Sequence, residues 1–91
     1  MNKLHVEYMK NSRGNTVKNQ VIIRGKFLDI FQSYDSVIAS VHNDGSVYLD
    51  KNFWNYSKTT STYRNIFLEE TTKETKKKIK DRIYHLIDLN K

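Results

Sequence analysis

The spacing of apolar residues changes once along this chain, near Asp50, and that change sets the fold class. Before it, Leu4, Val6 and Tyr8 alternate with Lys3, His5, Glu7 and Met9, and later Val47 and Leu49 flank Tyr48. A period of two is that of a half-buried strand. After it, Tyr63, Ile66 and Phe67 fall at i, i+3 and i+4, the stripe of an amphipathic helix. Strands followed by helices make an α+β domain. We expect an antiparallel sheet of four or five strands, then two C-terminal helices packed on one face. At 91 residues the chain reads as one domain, 1–91, with no repeat, linker or proline to divide it.

Local signals place the elements. Asn11-Ser12-Arg13-Gly14-Asn15 is turn chemistry, because Gly and Asn tolerate positive φ. Thr16 to Arg24 then reads as a strand, and Lys26 to Tyr34 as a third, with Phe27 and Phe31 on one face. Val37 to Val41 is a fourth. Asn43-Asp44-Gly45 predicts a type I′ hairpin turn that pairs 37–42 with 46–50. Beyond Asp50, the spacing predicts a short helix over about 59–68. Thr71 with Glu74 three residues on is a capping box. The stripe Ile79, Ile83, Leu86 and Ile87 extends the last helix from about Thr72 to Asp88.

Charge is uneven between the two parts. Of the 16 Lys and Arg and 10 Asp and Glu, residues 1–50 carry six bases and five acids, and residues 51–91 carry ten bases and five acids. The net charge of +6 therefore sits mostly on the helical part, where an anionic partner should be sought. There is no Cys, which excludes disulfides, thiolate metal sites and a Cys nucleophile, and fits a reducing cytoplasm. The N-terminus has no apolar run, so neither a signal peptide nor a membrane anchor is expected there.

Two constellations carry candidate chemistry. Phe53, Trp54, Tyr56, Lys58, Tyr63 and Arg64 interleave aromatic and basic groups, as surfaces that stack bases and hold phosphates do. The more economical account puts Trp54, Tyr56, Tyr63 and Phe67 inside, at the junction of sheet and helix, with Lys58 and Arg64 outside. Lys73, Lys76, Lys77, Lys78, Lys80 and Arg82 make the last helix basic. Lys73, Lys77, Lys80 and Tyr84 share one stripe at 3.6 residues per turn. Such a stripe suits phosphates or an acidic protein surface. It could equally be a solvated face, with Glu74–Lys78 and Lys77–Asp81 as i, i+4 pairs. His5, His42 and His85 share no metal-ligand spacing, and Asp81 with His85 reads as a surface pair. No phosphate loop, nucleophile elbow or two-His metal motif occurs, so we expect no cofactor, no metal and no enzyme.

The segment from Ser33 to about Ile79 resembles a family of small, uncharacterised proteins of phages and mobile elements of Gram-positive bacteria. The residues that carry the resemblance are Ser33-Tyr34-Asp35-Ser36-Val37-Ile38-Ala39, Tyr48-Leu49-Asp50, Phe53-Trp54-Asn55-Tyr56-Ser57-Lys58-Thr59-Thr60, Tyr63-Arg64-Asn65-Ile66-Phe67-Leu68, Thr72-Lys73-Glu74-Thr75 and Lys77-Lys78-Ile79. The family pattern closes its last helix with a small residue and Gly after the Lys-Ile step, whereas this chain continues Lys80-Asp81-Arg82-Ile83. The resemblance implies a phage-type accessory protein in a host-cell cytoplasm. By analogy, such a protein regulates, or blocks a host defence such as a CRISPR nuclease. The expected partner is a host protein or protein–nucleic-acid complex, met through Lys58, Arg64, Lys73, Lys77, Lys80, Arg82 and Tyr84. The second reading is a module that binds nucleic acid directly without reading sequence. A third is a homodimer joined at a sheet edge. No membrane is involved in any of them.

Overall fold

The computed structural model describes residues 4–91. Five strands run in sequence order: β1 (His5–Lys10), β2 (Thr16–Arg24), β3 (Leu28–Ser33), β4 (Ser36–His42) and β5 (Val47–Asp50). Two helices follow, α1 (Lys58–Leu68) and α2 (Thr72–Lys80), and then a sixth strand, β6 (Tyr84–Ile87). The sheet order is β1-β2-β3-β4-β5-β6, antiparallel except for the parallel pair β5–β6. The helices form the crossover that such a parallel pair requires.

The hairpin at 43–45 forms where expected, by a different turn. His42 accepts from the Gly45 N–H (3.0 Å) and donates its own N–H to the Ser46 carbonyl (2.9 Å). Gly45 alone takes positive φ (89°), while Asn43 and Asp44 do not. That is a type I turn closed by a left-handed residue, the longer alternative to type I′. The Asp44 carboxylate accepts from the Ser46 N–H and hydroxyl, which holds the tighter curl in place.

Alternation sorts the strands into two faces. Ile22, Phe31, Ala39 and Leu49 are register partners in turn across β2 to β5, and they face the helices. Phe31 and Leu49 are fully buried, and Phe31 stacks on Phe67 of α1 at 5.8 Å. Irregular pairing at Phe31/Gln32 lets β4 fit in one extra residue, and the adjacent Ile38 is fully buried. On β1 the expectation is reversed: Met9 is buried, whereas Val6 (54%) and Tyr8 (55%) are exposed on the other face. Phe27 is also outside, in the turn before β3 rather than beside Phe31.

The largest departure from expectation is the C-terminus. The helix stops at Lys80, and Tyr84–Ile87 is a strand rather than two further turns. Arg82 takes the left-handed conformation (φ 60°), donating its N–H to Ile79, while the Ile83 N–H bonds to Lys78. This is a Schellman closure, normally made by glycine. Continuing the helix would leave the outer edge of β5 unpaired beside Val47 and Leu49. As a strand, Tyr84 comes to lie beside Val47 and Leu86 beside Leu49. Short apolar runs fit both periods, so position in the fold decides between them.

Asp50 ties the two halves together. It is fully buried and accepts the N–H groups of Asn52, Phe53 and Leu89 at 2.8–3.0 Å. Burial pushes its carboxyl pKa up, but these donors outweigh that and hold it below the usual carboxylate value. Asn90 closes the same end by bonding both backbone groups of Val37.

Candidate functional site

The site begins with what fixes α2. Ser57 caps α1 by accepting from Thr60, and Thr60 in turn meets Ser33 of β3 in a buried hydroxyl pair (2.9 Å). One turn further on, Arg64 points inward. Its guanidinium donates to the Trp54 carbonyl, Asn55 Oδ1, Asn65 Oδ1 (2.9 Å) and Thr72 Oγ1 (2.8 Å), and lies 5.1 Å from the Trp54 ring. Every partner is neutral. Burial pulls its pKa down, and the charge of Glu70 partly offsets this. Arg64 thus joins the loop before α1, α1 itself and the first residue of α2 through the fork geometry that only arginine has.

The expectation that Arg64 faces outward is therefore corrected: it is 0% exposed. Its two terminal nitrogens meet a ring of oxygens that the folded structure supplies, while its Nε–H is buried without an acceptor, and a sequence does not show such a ring. Trp54, Tyr63 and Phe67 pack against the core as expected, but Tyr56 remains 49% exposed, in edge contact with Phe53.

α2 starts at Thr71 with both bonds of the capping box formed. A second polar cluster anchors its inner side. Glu70 accepts from Lys78 Nζ (2.7 Å), Tyr84 OH (2.7 Å) and Thr75 Oγ1. Burial pushes the Glu70 carboxyl up, but the bonds from Lys78, Thr75 and Tyr84 pull it further down, so its pKa is lowered. The same contacts raise Lys78, while burial first and then Glu70 raise Tyr84. Tyr84 was expected on the outer stripe. It is instead 8% exposed, on β6, facing Glu70.

With Thr72, Thr75 and Ile79 turned inward, a rotation of about 100° per residue places Lys73, Lys76, Lys77 and Lys80 within one arc on the flank beside that inward stripe. All four are exposed, as is Arg82 beyond the helix. Lys77 pairs with Asp81 at 2.9 Å. Among the described residues, no carboxylate pairs with Lys73, Lys76, Lys80 or Arg82. Lys58 is exposed too, but it opens α1 seven residues before Asn65, so its Cα lies about 10 Å away along that helix. It does not join the arc. Lys76 belongs to the arc and was not among the expected contact residues, although the same helical spacing would have found it. Among the described residues no group of His, Asp and Glu could hold a metal, and no helix is long and apolar enough to cross a membrane.

The fold and this surface define a small α+β protein with a six-stranded sheet, whose exposed cations are concentrated on its second helix. The chain belongs to the family of unknown function DUF8033, which matches residues 4–83: the first five strands and both helices. No curated protein and no solved structure matches it.

Proposed function

We propose that this protein is a non-catalytic accessory protein that binds an anionic surface through α2. The observation that carries the reading is the arc of Lys73, Lys76 and Lys80, with Arg82 just beyond: four exposed cations with no carboxylate partner among the described residues. Unpaired cations on one rigid helix attract an acidic or phosphate-bearing surface and speed its approach. The resemblance to phage accessory proteins favours a host protein or protein–nucleic-acid complex, such as a defence nuclease, as the target. Because the chain is basic, it would not act by imitating nucleic acid. Arg64 and Tyr84 leave the set of contact residues, and Lys76 enters it.

Direct binding to nucleic acid is the second reading, favoured by the same arc, and a gel shift separates the two. Direct binding predicts retardation of plain duplex or single-stranded DNA that weakens steeply with salt, with a slope of about −0.9 per duplex phosphate contacted. A protein target predicts no shift even at low salt, and loss of a specific host protein from affinity capture when Lys73, Lys76 and Lys80 are changed to Glu. Unchanged capture by that variant, with no DNA shift by the parent, would remove α2 from the site.

A further inference from the structure

Both helices lie on one side of the sheet, through Phe67 against Phe31 and through Glu70 against Tyr84. Among the described residues no helix covers the other side, and the C-terminal segment reaches only part of it, where Leu89 lines a depression and Asn90 bonds Val37. The surface of that side runs from Val6 and Tyr8 on β1 through Ile23 and Ile30 to Tyr48 and Ile87. The strand positions on this face carry one cation, Lys10 at the end of β1, and one carboxylate, Asp50, which is fully buried. The polar groups there include Gln32, Ser40 and two imidazoles beside the Tyr48 ring, His42 edge-on at 5.0 Å and His85 tilted at 5.3 Å. A shallow depression of about 350 Å³, floored by Leu28, Ile30, Val37 and Ile87, lies near its middle. Monomeric proteins rarely leave a contiguous apolar area of this kind in water.

We propose that this face is covered by the same face of a second copy, so that the protein is a two-fold dimer of stacked sheets. Two observations select that occupant. The first is area. Six strands of four to nine residues, spaced about 4.8 Å and rising about 3.3 Å per residue, give a footprint of about 600 Å² per copy. Two such footprints reach the roughly 1,200 Å² at which specific interfaces begin. The second is charge. Each chain carries +6, so two copies repel wherever their cations approach. The open face is the broad surface where cations are sparse, Lys10 lying at its β1 corner, and pairing through it leaves both α2 helices on the outside. A nucleic acid or an acidic protein would find a single cation at the margin here. The inference stands independently of what α2 binds.

Sedimentation equilibrium tests it, with the melt followed by circular dichroism. The parent should run at twice the mass of one chain. Ile30→Glu places two carboxylates near the two-fold axis and should raise the dimer dissociation constant at least about tenfold while the strand signal is retained. Tyr8→Glu, at a position already 55% exposed, should act in the same direction and decides the matter if Ile30→Glu does not fold. A parent that stays monomeric up to roughly 100 µM would overturn the proposal, since interfaces of this class associate well below that. So would a dimer that both folded variants leave intact, which would place the contact at a strand edge instead. Retention of the parent as a monomer bound to an apolar small molecule in the Ile30 depression would also overturn it.

Discussion

The two faces of the sheet are made from adjacent residues and differ in kind. Beneath the helices, Phe31, Ile38 and Leu49 share the interior with Arg64, Thr60 and Thr75, all fully buried. On the open side the residues are more uniformly apolar yet largely in contact with solvent. Hydrophobicity alone thus does not say which side is the core. What separates the two faces is the polar wiring. Arg64 and Glu70 tie loops and helices over the covered face, each through several partners, with the Arg64 Nε–H left as the one unbonded donor of the guanidinium. Buried polar groups of this sort cost stability unless fully bonded, so they mark where the chain is committed to one arrangement.

Substitutions at neighbouring positions should expose that difference most strongly. Phe31→Ala, under α1, should cost about 3–5 kcal/mol. Ile30→Ala, one residue away on the open face, should cost clearly less in the dilute monomer, and urea unfolding of both variants measures the gap. Equal losses would mean that the open face is covered even when the protein is dilute. Arg64→Ala should follow at about 3 kcal/mol, because it strands the oxygens of Trp54, Asn55 and Thr72. Arg64→Lys should recover little of this, since one ammonium cannot span that ring. The smallest effect is with pH. The Glu70 carboxyl has a lowered pKa in the folded protein. Its contribution is present above the unfolded carboxylate pKa and is lost as pH falls through the lower folded value. Glu70→Gln should therefore flatten the acid limb of a melting-temperature profile and leave the shape near neutrality unchanged.

The five strands before Asp50 were legible because each is bounded by its own turn. β2 forms over the residues expected, and the pairing of 37–42 with the strand after Gly45 holds. α1 was legible from Tyr63, Ile66 and Phe67, and α2's start from Thr71 and Glu74. β6 was not. Ile79, Ile83, Leu86 and Ile87 satisfy a helical stripe, and the competing period wins only because β5, more than thirty residues away, offers an open edge. The helix stop at Arg82 was masked for a related reason: a residue other than glycine occupies the left-handed position, as Glu69 does at the end of α1. At the site, the exposed lysines could be placed by counting along a helix. Arg64 and Tyr84 could not, because their orientation depends on Trp54, Thr72 and Glu70, side chains and backbone brought together only by the turns between them.

The parallel β5–β6 pair has a consequence for how the chain is built during synthesis. β2 to β5 each pair with the strand just before them and can zip up as they leave the ribosome, each closing only a short loop. The sixth position must wait for residues 84–87, more than thirty positions after β5, and Asn90 then reaches back 53 positions to Val37. Until that moment β5 is a bare margin, open to any extended peptide that passes. The emergence of β6 is therefore also the moment at which that margin stops being sticky.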